Sequence, residues 1–279
     1  ASPAVPVPKN AQQLAEVFGG HRLTLNSSHL YWTTPSTRTV HGTPRKGGPV
    51  AVIAEEFGVN EPTAITFRDG WLYWAALNPK LYFVRRLAIG QKTQATVTTG
   101  KPAAAEQTIV AIAVDDASVY YVTGSAPGSS PIGQVRRVQV GDGTPIDIAI
   151  DQKQPTAIAL AGPHVYWTTR SGPAIQRALK MGGEVASVVV ETTGAVALSV
   201  DQSHVFWCNE PGVTVDLQGG TIMRAQRGGG TATILASGQD RPVAIAIDGS
   251  HVWWLNAGVA DKGLAEGALM RHLKDVTGP

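Results

Sequence analysis

Short apolar runs recur along the chain. Each closes on a turn-forming pair and is followed at once by a second run that carries adjacent aromatics. Residues 243–247 are apolar, Asp248 and Gly249 break the run, and residues 251–255 are rich in β-branched and aromatic types, as expected of two strands joined by a tight turn. No segment holds a 3.6-residue apolar period for three turns, and Gly and β-branched residues are frequent, which argues against a helical solenoid.

The pair of runs repeats. "RPVAIAIDGSHVWWLN" from Arg241 has counterparts in "TGAVALSVDQSHVFWCN" from Thr193, "QPTAIALAGPHVYWTT" from Gln154 and "EPTAITFRDGWLYWAA" from Glu61. "TIVAIAVDDASVYYVT" from Thr108 and "HRLTLNSSHLYWTT" from His21 complete the set. The last aromatic of each core is Trp32, Trp74, Tyr121, Trp167, Trp207 or Trp254, so the intervals are 42, 47, 46, 40 and 47 residues. A third run with a recurring Arg and a fourth after a Gly-rich turn complete each unit, as in "TIMRAQRGGGTATILASG" from Thr221. Four strands per unit of this length match one propeller blade, and six units predict an all-β, six-bladed β-propeller of four-stranded antiparallel blades.

The ends predict how the ring closes. The last unit stops after its third strand, "GALMRHLKD" at 267–275, and "QQLAEVFGG" at 12–20 resembles the missing fourth. The N-terminal strand is expected to pair into the last blade and remove an exposed edge. Residues 1–11 then read as a Pro-rich tether and 12–279 as a single propeller domain.

The "HVYWTT" and "HLYWTT" strands, followed by an I-x-R element and a Gly pair, resemble the six-bladed propellers of the YWTD and NHL-like group, with exported bacterial propellers of uncharacterised role closest. Gluconolactonase-like propellers belong to the same wider resemblance. In them a cation sits at the channel mouth on Asn and Asp or Glu side chains.

Composition narrows the function classes. Lys and Arg number 23 against 21 Asp and Glu, and a formal charge of +2 gives no basic surface for nucleic acid. The single Cys excludes an internal disulfide framework, and no apolar run is long enough to span a membrane as a helix. The start "ASPAVPVP" reads as a chain after removal of an export signal, so a periplasmic, secreted or surface-tethered monomer is expected.

Three columns of repeated residues read as architecture. The aromatic pairs are core. His29, His164, His204 and His251 recur one per blade, too far apart for one metal ion, and are expected to bond within the first turn, to Asp201 or Asp248 where those are present. Arg86, Arg137, Arg177, Arg224 and Arg271, with Gly42 at the sixth position, are expected to satisfy carbonyls between blades. Cys208 follows a core Trp and reads as an inert buried thiol.

Function is sought in the departures from the repeat. The long loops at 123–133, 209–220 and 256–267 fall on the face around the channel mouth. Glu61, Asn209, Glu210, Asp216, Arg241, Asn256 and Asp261 are the candidate ligand-binding residues. No cofactor or metal is expected, except that Asn209 and Asn256, at equivalent positions, are candidates for Ca²⁺. No nucleophile elbow, zinc motif or nucleotide loop is present. The expected function is an exported, non-enzymatic scaffold that binds a protein, peptide or carbohydrate through its loop-rich face. The alternative is a cation-dependent hydrolase or lyase of the gluconolactonase-like type at the channel mouth. One outcome follows from the closure alone. Deleting residues 1–20 is expected to lower the melting temperature of the whole domain in calorimetry, whereas a mere tail would leave it unchanged.

Overall fold

A computed structural model describes residues 16–17 and 20–274, apart from 57–59, 79–80, 101–106, 126–131, 141–144, 173, 191–193, 211–218 and 258–266. The tether lies outside the described residues, as do Asp216 and Asp261.

Six four-stranded antiparallel sheets follow one another around an axis. The first blade holds β2 (Arg22–Leu25), β3 (His29–Thr34), β4 (Thr39–Pro44) and β5 (Ala51–Glu55). The second holds β6 (Glu61–Arg68), β7 (Trp71–Leu77), β8 (Tyr82–Ala88) and β9 (Ala95–Gly100). The third holds β10 (Gln107–Val114), β11 (Ser118–Ser125), β12 (Ile132–Gln139) and β13 (Ile146–Lys153). The fourth holds β14 (Pro155–Ala161), β15 (His164–Thr169), β16 (Ile175–Leu179) and β17 (Ala186–Val189). The fifth holds β18 (Ala195–Val200), β19 (His204–Asn209), β20 (Gly220–Gln226) and β21 (Thr233–Gln239). The sixth is built from β22 (Pro242–Ile247), β23 (His251–Asn256), β24 (Gly267–Leu273) and the N-terminal β1 (Glu16–Val17). Glu16 pairs with Ala268 and Val17 with Gly267, so the first strand closes the last blade as the sequence predicts.

The core is divided into six hydrophobic clusters, one at each junction between blades. Alternation along the second strand sends its two aromatics to opposite sides. Trp254 packs toward the fifth blade and Trp253 toward the first, while Trp167 packs toward the third and Tyr166 toward the fifth. All four are at most 1 % exposed. Burial would strand the indole N–H, and the preceding blade supplies an acceptor at the end of its outer strand. Trp74 Nε1 donates to Glu56 Oε1 at 2.6 Å, Trp167 to Gln152 Oε1 at 2.8 Å and Trp254 to Gln239 Oε1 at 2.9 Å.

The Arg column lies opposite the other aromatic. Tyr73 pairs with Arg86, Tyr120 with Arg137, Tyr166 with Arg177, Phe206 with Arg224 and Trp253 with Arg271. Arg177 and Arg224 donate onward to the carbonyls of Arg227 and Lys274 in the next blade, at 3.4 and 2.6 Å. Gly42 fills the position in the first blade because Tyr31 lies over it: an added Cβ would stand 2.9 Å from Tyr31 Cδ1.

Three of the four His sit in Asx turns; His164 follows Ala161 and has none. The main-chain N–H of His29, His204 and His251 donates to the side-chain oxygen of Asn26, Asp201 and Asp248, and each ring Nδ1 meets the preceding Ser hydroxyl at 2.7–2.9 Å. The expected bond to the Asp is therefore made by backbone rather than imidazole. The second oxygen of these turns ties blades together. Asp115 accepts from Lys180, Asp201 from Lys274 and Asp248 from Arg45, each cation coming from the next blade around the ring. Burial alone would raise the Asp201 carboxyl, but Lys274 and the amides of His204 and Ser203 outweigh it and hold the pKa down at about 2.

A folded pKa below the unfolded value makes the stabilisation complete above about pH 4 and removes it as pH falls toward 2. Urea unfolding across that window is expected to lose about 1–2 kcal/mol in the wild type. Lys274→Met should remove most of that contribution, and an unaltered acid limb would refute the assignment.

Candidate active site at the channel mouth

The inner strands β2, β6, β10, β14, β18 and β22 surround the axis, and each neighbouring pair is in contact. Five of them carry a bulge near their start, where the pairing with the second strand skips Thr63, Val110, Thr156, Val196 or Val243. A bulged residue leaves the ladder, and its carbonyl needs another donor. In the first blade the ladder begins at Arg22, which pairs with Thr33, and Leu23 pairs with Trp32. The His21 amide also donates to the Thr33 carbonyl at 3.0 Å, so His21 stands where the other blades carry the bulged residue.

Pairing also aligns the residues that follow. Arg22 is the counterpart of Ala64, Ala111, Ala157, Ala197 and Ala244. Five alanines leave that level of the channel open, and the sixth side chain crosses it. Arg22 Nε donates to the carbonyl of Val110 at 3.4 Å, Nη1 to Val243 at 3.2 Å and Nη2 to Thr156 at 3.3 Å. One guanidinium from the first blade thus reaches bulge carbonyls of the third, fourth and sixth. Its pKa is pulled down to about 10 by burial and then by the charge of Arg170, so it stays protonated at neutral pH.

A chamber of about 60 Å³ lies at this level, lined by Arg22, the five alanines and the next ring, Leu23, Ile65, Ile112, Ile158, Leu198 and Ile245. From that ring a wider vestibule of about 410 Å³ runs past Thr24, Thr66 and Ser199 toward Arg68, Asp115 and Lys180 on the opposite face.

Around Arg22 the mouth is set with polar groups. His21 lies near the Thr63 backbone, and its Nδ1 has no partner. Burial first, then the Arg22 charge, lowers its pKa to about 3, so the ring is neutral. Arg170 Nη2 donates to Glu210 Oε1 at 3.0 Å, and both side chains are about one third exposed. Cys208 is buried; desolvation pushes its thiol up, and it remains a thiol, as expected.

The sequence-predicted residues distribute unevenly. Glu210 is at the mouth, in the pair with Arg170. Asn209 and Asn256 end β19 and β23, opposite Ala195 and Pro242. Both are buried: Asn209 Nδ2 bonds Thr221 Oγ1 at 3.2 Å and Asn256 Nδ2 bonds Gln239 Oε1 at 3.1 Å, while each Oδ1 is unpartnered. Glu61 and Arg241 start β6 and precede β22, both exposed, and Arg241 holds a left-handed φ of 53°. Arg22, His21 and Arg170 were missed. The signal for Arg22 was in the repeat itself, a charge where the other five copies carry alanine.

A channel-mouth cation does not fit the described residues. The two free carboxamide oxygens suit one, but no group of three or more His, Cys, Asp or Glu side chains that could hold a metal occurs among the described residues. The guanidinium that crosses the channel repels a cation there.

No family model matches the chain, and no curated protein matches it. Solved structures do. A luciferin-regenerating enzyme matches with a TM-score of 0.70 at 10 % identity, over 96 % of this chain and 95 % of its own. Regucalcin from Agrobacterium tumefaciens, a calcium-binding protein, matches at 0.63 and 13 %, over 95 % and 94 %. Streptogramin B lyase matches at 0.64 and 13 %, over 95 % and 98 %. These likenesses show the fold.

They also correct two expectations. The placement in the YWTD and NHL-like group does not stand, because the structures matched over nearly the whole chain are a luciferin-regenerating enzyme, regucalcin and a streptogramin lyase. The expectation of a non-enzymatic binding scaffold does not stand either, since two of these three structures carry the name of an enzyme. The repeat strands misled here because they report blade packing, which propellers of many functions share.

His21 supplies a test of the mouth. Its folded pKa lies below the unfolded one, so the unfolded chain takes up the proton first, and stability falls as pH drops from about 6.5 toward 3. His21→Gln is expected to flatten that part of the pH–stability curve. An unchanged slope would place the titration elsewhere.

Proposed function

We propose that the protein is an enzyme of the hydrolase or lyase kind, with its active site at the channel mouth where Arg22, His21, Arg170 and Glu210 lie. The observation that carries this is the Arg170–Glu210 pair beside the Arg22 guanidinium, on the face where the inner strands begin. The naming of two full-length structural neighbours as enzymes supports it.

In this reading Glu210 takes a proton from water or from a substrate carbon. Arg170, bonded to it and partly exposed, steadies the carboxylate and donates to negative charge developing on the substrate oxygen. Neutral His21 offers Nδ1 as an acceptor that orients a substrate hydroxyl or amide. No step uses a metal.

Turnover of a panel of esters and lactones by the full chain tests the proposal. Glu210→Gln is expected to lower kcat by about 10²-fold or more with the melting temperature little changed. A panel turned over no faster than in buffer, or a Glu210→Gln variant as active as wild type, would refute it.

A further inference from the structure

The Arg22 guanidinium is not paired with an acid within the described structure. Arg22 makes three hydrogen bonds, all to neutral carbonyls, and none to a carboxylate. Glu210, whose field reaches it, is bonded to Arg170. Glu61, Asp240 and Arg241 are exposed to solvent. Arg22 itself therefore has no carboxylate bonded to it among the described residues. A guanidinium has five N–H donors, and three are committed here, so two remain. An enclosed charge short of a counter-ion is costly and favours binding of an opposite one.

We propose that the mouth is an anion subsite built on Arg22, and that the substrate presents a carboxylate to it. This rests on the mouth being the active site. It assigns to Arg22 the binding of a substrate group that does not react, apart from the chemistry at Arg170 and Glu210. The repeat makes the assignment specific: the position is alanine in the five other blades, where blade packing asks for nothing larger. Three carbonyls from three blades hold the guanidinium in place, so the carboxylate meets a preorganised partner.

Thermal unfolding of the full chain in sodium acetate, against sodium chloride of equal ionic strength, reads the subsite without turnover. The wild type is expected to show a saturable rise of about 2–4 °C. Arg22→Lys and an Arg241→Ala control should retain the rise. Arg22→Ala, which restores the repeat residue, should abolish it. Should Arg22→Ala not fold, Arg22→Gln keeps donors toward the carbonyls and removes the charge, with the same expected loss. No saturable acetate response in the wild type, an equal response without the charge, or a saturable response to calcium chloride instead would each overturn the proposal. Acetate binding without turnover of any ester or lactone would count against the enzymatic reading alone. Turnover without acetate binding would count against the anion subsite alone.

Discussion

Closing six sheets into a ring leaves six inner strand edges facing one another across an axis, with no further strand to pair them. Their main-chain groups need partners from water, from ligand or from a side chain that crosses the gap. The bulges at Thr63, Val110, Thr156, Val196 and Val243 intensify this demand at one level. Arg22 answers it with the side chain that carries the most donors, and the chemistry of the mouth follows from that choice. A charge placed to satisfy backbone also sets the local potential. After burial, it is the second cause that keeps His21 neutral, and it repels a cation at its own level of the channel.

Elsewhere the blades are joined by devices that recur with the repeat yet vary with it. Indole N–H groups reach across three junctions to Glu56, Gln152 and Gln239. Ion pairs from Lys180, Lys274 and Arg45 reach across three, wherever the preceding blade offers Asp115, Asp201 or Asp248. Where that turn holds Asn26 or Arg68, the next blade has Ile89 or Val140 in place of the cation. The match is not complete: where the fourth blade's turn holds Ala161 the fifth blade still has a cation, Arg227, which donates to the Asp201 carbonyl of its own blade at 3.4 Å.

Much of the fold was legible in the sequence, because a blade must be apolar on both faces and must turn at fixed intervals. The aromatic pairs, the turn residues and the missing fourth strand each carry one of those requirements. The candidate site was legible only in part. Glu210 stood out as an acid just beyond a core strand. Asn209 and Asn256 stood out as a pair, but they are buried with their amide nitrogens already bonded. Arg22 was legible too, and was passed over. Ten residues before the last aromatic of each core the other five copies carry alanine and the first carries arginine. The repeated residues drew attention to the columns that agree, and this column is informative at its one departure. The family likeness misled because the strands that carry it are the ones packing constrains most.

The side chain that spans the axis has a further consequence. A propeller is commonly pictured as a disc with a hole, but here one side chain spans the hole. Its guanidinium ties the first blade to the sixth beside it and to the third and fourth across the axis, which packing between neighbouring blades does not reach. A change at this one position is therefore felt by four blades at once.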